Sequence, residues 1–177
     1  MAVLNIPDKN LTITDVRTIR EFLETRNIWF DQWVTTEKLP VDADQETVLR
    51  AYDHLLAPFM ELNKYQTADV INITAGLPNY EAIRNKFLQE HVHTEDEVRF
   101  FVQGQGYFWF NLNDDREAVF NVLCEAGDLI SVPANTRHWF DAGKEKPHVK
   151  AIRIFIDQSG WVPHYTESGI DKAYSPA

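Results

Sequence analysis

The chain has 177 residues, 44% of them hydrophobic and 12% aromatic, with a formal net charge of −10 at pH 7. That length suits one domain able to bury roughly 70% of its unfolded surface, and the composition excludes a disordered chain. The acidity argues against binding a nucleic-acid backbone, no apolar run approaches the ~20 residues of a membrane helix, and the single cysteine, Cys124, excludes an intrachain disulfide and points to a reducing, cytoplasmic setting.

In chain order, residues 2–6 and 11–13 are short apolar runs fit for edge strands. Thr14 and Asp15 can cap a helix from about 15 to 26, with Val16, Ile19, Phe22 and Leu23 on one face. Trp29, Phe30, Trp33 and Val34 follow as core, or as a cover over what comes later. Residues 42–45 can start a second helix whose apolar stripe is Val48, Leu49, Tyr52, Leu55 and Leu56; Pro58 breaks or restarts it before Lys64. Residues 68–73 alternate as a strand, 76–79 form a turn, and 80–88 form a short helix that delivers the chain to His91. Beyond it, 97–103, 106–112, 119–124, 128–132 and 149–156 read as strands, with Gly104-Gln-Gly106 as a tight hairpin and 113–116 as a polar loop. Helices followed by closely spaced strands indicate a mainly β barrel or sandwich with a helical flank. The expected division is one domain over 1–177, with the flank at 1–67, the barrel at about 68–160 and a tail at 161–177.

Chemistry concentrates in two stretches. In His91-Val-His93-Thr-Glu-Asp-Glu97, extended backbone puts both rings on one face, because residues two apart point the same way. Imidazole nitrogens and a carboxylate oxygen are ligands for a divalent transition metal. A further histidine, His138, ends the run Gly127-Asp-Leu-Ile-Ser-Val-Pro133-Ala-Asn135-Thr-Arg. A lone His-x-His is usually not a metal site; Glu97 and His138 at these spacings tip the balance towards one. If Glu97 points into the barrel, Arg99, Phe101 and Gln103 share its face, while Val98, Phe100 and Val102 face the helices. Phe140 shares the face of His138. Arg153 lies on a face with Phe155, opposite Ile152, Ile154 and Ile156, and either face could be inside. His54 and His148 read as surface residues, nothing places His164, and Trp161 either covers the pocket or packs. Glu95 and Asp96 read as the solvated tip of a turn. Cys124 reads as a small core hydrophobe.

These stretches resemble the two motifs of the cupin superfamily: His-x-His, three residues, Glu, six residues, Gly; then Gly, five residues, Pro, four residues, His. Asn85, Asn135 and Ala142 stand where the motifs usually carry Gly, Gly and Asn, and Asn135 tolerates the left-handed conformation of such a turn. The longer strings 87–104 and 123–141, with Tyr65-Gln-Thr-Ala-Asp69, Ala151-Ile-Arg153-Ile-Phe155 and Gly160-Trp161, are similar to the acireductone dioxygenases.

The resemblance implies a jelly-roll cupin barrel and one divalent metal per chain, Fe(II) or Ni(II), on His91, His93, Glu97 and His138. It implies an enzyme that cleaves acireductone, an enediol-ketone with a methylthio tail, with O2 in methionine salvage; a monomer is expected, though the sequence does not fix the oligomeric state. The expected products are the keto acid methylthio-oxobutyrate and formate with iron, and methylthiopropionate, carbon monoxide and formate with nickel. The net charge of a divalent ion plus Glu97, with Arg99 beside it, favours an enediolate, so Arg99 is the expected catalytic residue. Phe101, Phe140 and Phe87 are candidates to hold the tail, and Arg153 is a further substrate contact. Another cupin metalloenzyme, such as a different dioxygenase or a sugar isomerase, and a non-catalytic cupin binding module stay open beside this reading.

Overall fold

In the computed structural model, which describes residues 1–35, 38–112 and 119–174, most of the regular structure before residue 89 is helix, and most of it after residue 90 is strand. Three strands lie in the first half of the helical region: β1 (Val3–Ile6), β2 (Leu11–Ile13) and β3 (Trp29–Gln32). Four helices accompany them: α1 (Val16–Glu24), α2 (Gln45–Ala51), α3 (Asp53–Asn63) and α4 (Tyr80–Leu88). The remaining strands are β4 (Thr67–Thr74), β5 (His91–Val92), β6 (Glu97–Asn111), β7 (Val119–Glu125), β8 (Asp128–Val132), β9 (His138–Asp141), β10 (His148–Phe155) and β11 (His164–Tyr165). The expected loop at 113–116 and the side chain of Trp161 lie outside the described residues. Among the described residues, no helix is long and apolar enough to cross a membrane.

The strands pair antiparallel in two sheets, β11-β5-β9-β6-β7-β1-β2 and β3-β8-β6-β10-β4, with β6 common to both. This is the double-sheet barrel expected from the strand pattern. The expected hairpin at Gly104–Gly106 is absent: β6 runs through it as one strand of 15 residues. Val98–Gly104 pair with β10 and Gln105–Asn111 pair with β7, so the glycines mark the corner where one strand changes sheet. The cause is close approach. A Cβ on Gly104, which sits at φ +70, would lie 1.8 Å from the His148 carbonyl oxygen, and one on Gly106 would lie 2.2 Å from the Phe140 ring. A register shift between Lys150 and Ala151 accompanies the corner and breaks the alternation after Phe101. Gln103 therefore does not face the barrel interior; its amide donates to the Leu39 carbonyl over the outer face at 2.6 Å.

The interior is packed with rings. Phe101, Phe108, Phe110, Phe120 and Phe140 are buried there with Ile130, Val132 and Val149, and Ile19 and Leu23 of α1 join the same cluster. Each such side chain contributes about 1.5–3 kcal/mol by leaving water. Helix α1 starts where expected because Asp15 accepts from Thr18 N at 2.8 Å. Outside the barrel, Val98, Phe100, Leu129, Ile152 and Ile154 pack against Val48, Tyr52 and Leu56 of the α2–α3 region. That burial puts the isoleucines outside and Arg153 and Phe155 inside. The helix break expected at Pro58 falls instead at Tyr52, and Pro58 sits within α3. Tyr52 is buried edge-on to Phe100, with ring centroids 5.3 Å apart, so tertiary packing sets the break.

Helix α4 is bolted to β9. Arg84 donates from Nε and Nη2 to both oxygens of Asp141, each at 2.8 Å, and Asp141 is fully buried. Arg84→Leu is expected to strand that carboxylate and to cost about 3–5 kcal/mol, read from urea unfolding midpoints. A loss below about 1 kcal/mol would place the pair among weak surface bridges.

Candidate metal centre

The histidines converge because short strands start next to one another. His91 opens β5 and pairs in register with His138, which opens β9. His93 follows β5, and Glu97 opens β6. Asn135, at φ 61, takes the left-handed turn its type allows, and its N–H donates to the His93 carbonyl at 2.9 Å, tying the two stretches together. Asp96 is not a solvated tip: its Oδ1 accepts from Ala134 N at 2.9 Å and makes a second tie.

All four groups are buried, with His91 4%, His93 7%, Glu97 2% and His138 1% exposed. Each imidazole turns Nδ1 to a backbone carbonyl: His91 to Gln89 at 2.7 Å, His93 to Val162 at 3.0 Å and His138 to Thr136 at 2.8 Å. A carbonyl only accepts, so each Nδ1 carries a hydrogen and each Nε2 is the nitrogen turned to the centre; that of His93 shares a proton with Glu97, which an ion would displace. One ring nitrogen from each of the three histidines lies within 4.8 Å of the others. Glu97 Oε2 is 2.9 Å from His93 Nε2 and 3.4 Å from His138 Nε2. The second contact is long and weak, and His138 Nε2 is buried without a well-formed hydrogen bond. Three oriented imidazoles, one of them orphaned, and a carboxylate are a donor set that fits one divalent metal ion.

The electrostatics agree. Burial would push the Glu97 carboxyl up, but the Arg99 guanidinium, helped by His138 and His93, holds it well below the usual carboxylate range. Burial, with His138 nearby, pushes His91 down to about 3, so it stays neutral and available as a ligand. For His93 burial is the largest influence and works downwards, but the bond to Glu97, its negative charge and the Val162 carbonyl together outweigh it and raise the pKa, so at this ring a proton competes with a metal.

Beside these groups lies a cavity of about 330 Å³, within the usual range for a small-molecule site. Of the expected contacts, Arg99, Phe87, Phe140 and Arg153 line it. Arg99 gives Nη2 to Glu97 Oε1, rests 4.7 Å and 4.5 Å over the Phe108 and Phe140 rings, and leaves Nε and Nη1 buried without a partner. Arg153 is held by Asp69, with Nε 2.8 Å from Oδ1 and a second contact from Nη2 to Oδ2. Phe101 does not line the cavity. It packs one layer behind, 6.2 Å from Phe140 and 6.3 Å from Phe108. Phe108, Phe155, Pro163 and Tyr165 line it without having been singled out as contacts. For Phe108 and Phe155 the signal was strand parity; for Pro163 and Tyr165 there was none. A larger, more open cleft of about 1150 Å³ runs past Glu81, Gly106 and Lys146 and contains none of the three histidines.

The sequence description of the ARD/ARD' family matches residues 6–163. An acireductone dioxygenase from a Picosynechococcus species is 58% identical over 174 residues, covering 98% of this chain and 97% of its own. One from Cronobacter sakazakii is 48% identical, covering 91% of this chain and 87% of its own. Among solved structures, the acireductone dioxygenase of Bacillus anthracis, which has a cadmium ion in its active centre, superposes with a TM-score of 0.83 at 32% identity, over 93% of this chain and 98% of its own.

Proposed function

Because the chain belongs to the ARD/ARD' family, we propose that it is a metal-dependent acireductone dioxygenase of methionine salvage, cleaving the enediol-ketone with O2. The observation that carries this reading is the convergence of three oriented imidazoles, Glu97 and a half-paired Arg99 at one cavity. His91, His93, Glu97 and His138 hold the ion. When bound, a divalent ion would supply Lewis-acid polarisation of the enediol-ketone.

The chain's own residues do the rest. Glu97 stays ionised at neutral pH and serves as a ligand, not as a proton donor. Arg99 cannot be titrated away at working pH, and its Nε and Nη1 donate to the enediolate and offset its charge. The Phe108 and Phe140 faces hold the guanidinium plane in place. Phe87, Phe140 and Phe155 form the apolar wall that receives the methylthio tail and keeps water off the electron-rich substrate. Arg153, fixed by Asp69, adds positive potential at the same cavity. Phe101 supports the wall from behind.

We take the protein to be a cytoplasmic monomer: all four ligands and the cavity walls come from one chain, so the site needs no partner subunit to complete it, and a lone cysteine suits a reducing compartment. The lone thiol of Cys124 is pushed well above its ordinary pKa by burial and is inert. Oxygen uptake with synthetic acireductone tests the activity; no uptake by the metal-loaded protein defeats it.

The family resemblance points to Fe(II) or Ni(II), and imidazole with carboxylate suits both ions. Protein stripped and reloaded with Fe(II) is expected to yield formate and methylthio-oxobutyrate. The same preparation with Ni(II) is expected to yield methylthiopropionate, formate and carbon monoxide. Headspace carbon monoxide against bound metal reads the difference. Carbon monoxide from the iron form, or none from an active nickel form, would hand the choice of products to the cavity walls.

A further inference from the structure

One side of the cavity is closed by the chain beyond β10. Pro163 and Tyr165 stand in its wall, the Val162 carbonyl accepts from His93 Nδ1 at 3.0 Å, and the Tyr165 ring lies 6.0 Å from that of His91. Strand pairing alone holds this segment weakly: β11 meets β5 at two positions, His164 with Val92 and Tyr165 with His91. The stronger attachment is Glu90, the residue before His91, which is 1% exposed. Its Oε1 accepts from Thr166 Oγ1 and from Ser168 Oγ, the latter at 2.7 Å. Its Oε2 accepts from Asn111 Nδ2 at 2.9 Å, and its backbone carbonyl accepts from Thr166 N at 3.1 Å. None of these partners is cationic. Keeping a carboxylate buried on neutral donors is costly, and apolar packing would serve the fold at less cost. What the carboxylate supplies is reach, since it gathers two hydroxyls of the C-terminal segment onto the strand that carries His91.

We propose that Glu90 is a positioning residue that latches residues 162–168 over the metal cavity, keeping the Val162 carbonyl on His93 and Pro163 and Tyr165 in the wall. The cavity's role rests on the metal-site reading above; the latch itself does not. The test uses Ni(II)-loaded protein in three forms: Glu90→Ala, Glu90→Gln, and the double variant Thr166→Val with Ser168→Ala, which removes the latch from its other side. Amide exchange at Tyr165 and Thr166 is expected to rise at least about tenfold in the alanine and double variants, with β6 amides unchanged. Release of Ni(II) to EDTA should quicken by about tenfold, the usual scale for a disturbed outer partner of a ligand. KM for acireductone should rise more than kcat falls. Glu90→Gln, whose amide oxygen still accepts from both hydroxyls and whose NH2 can donate to an Asn111 amide turned over to present its oxygen, should stay near wild type in exchange and Ni(II) release.

Unchanged exchange in the segment, a looser segment with unchanged Ni(II) release and KM, or equal acceleration throughout β6 would each overturn the proposal. If Glu90→Ala does not fold, the double variant decides. If wild-type protein fails to turn over acireductone, the functional reading falls while exchange and Ni(II) release still judge the latch.

Discussion

His138→Gln is expected to leave a folded protein that has lost its metal and its turnover. The glutamine roughly preserves volume where the ring packs 6.2 Å from Phe108 and 6.5 Å from Phe110, so the barrel should survive. What disappears is a buried imidazole nitrogen that lacks a hydrogen-bond partner, together with its orientation by the Thr136 carbonyl. An ion acting as a Lewis acid is worth several kcal/mol of barrier, and each 1.36 kcal/mol is tenfold in rate, so turnover should drop at least about a thousandfold. Metal content by elemental analysis and far-ultraviolet circular dichroism, measured on the same sample, check it. A fully loaded and active His138→Gln protein would remove His138 from the ligand set.

Arg99→Met should lower kcat/KM by about 10²–10³, the usual loss when one donor aimed at developing negative charge is removed. From strand parity alone, this residue serves the substrate and leaves the fold indifferent. The structure alters that expectation, because Arg99 also neutralises a fully buried carboxylate. Metal-loaded protein should keep most of its stability, since the ion replaces the missing charge beside Glu97. Metal-free protein should lose about 3–5 kcal/mol, the cost of leaving one member of a buried pair alone. Thermal melts with and without Ni(II), alongside turnover, separate the two roles. Equal destabilisation of both forms, with turnover per folded molecule intact, would make Arg99 purely structural. Arg99→Lys should not rescue turnover, because an ammonium cannot hold Glu97, stack on two rings and keep two donors free.

The same two kinds of information recur through the molecule. Features within a few residues of one another were legible from the sequence. The facing of His91 and His93, the shared face of Glu97 and Arg99, the cap at Asp15, a helix start within 42–45 and the left-handed turn at Asn135 all follow from local periodicity and backbone preference. Parity reports a face and not a depth, so Phe101 shares the face of Glu97 and still stands behind the cavity.

Everything that depends on a distant neighbour was decided by the tertiary structure. Gly104 and Gly106 read locally as a hairpin; the His148 carbonyl and the Phe140 ring, close in space and remote in sequence, make them a corner in one continuous strand. The register shift at Lys150 and Ala151 turns Gln103 outwards, and no pattern in β6 announces it. Burial of Ile152 and Ile154 under the helices is what puts Arg153 inside. The carbonyl of Val162, the ring of Tyr165 and the hydroxyls of Thr166 and Ser168 that bond Glu90 reach the histidine stretch across more than 60 residues, as the 69-residue separation of His93 and Val162 shows. Sequence spacing on one strand is a geometric constraint and can be read directly, whereas contact between segments is chosen by packing of the whole core and leaves no local mark.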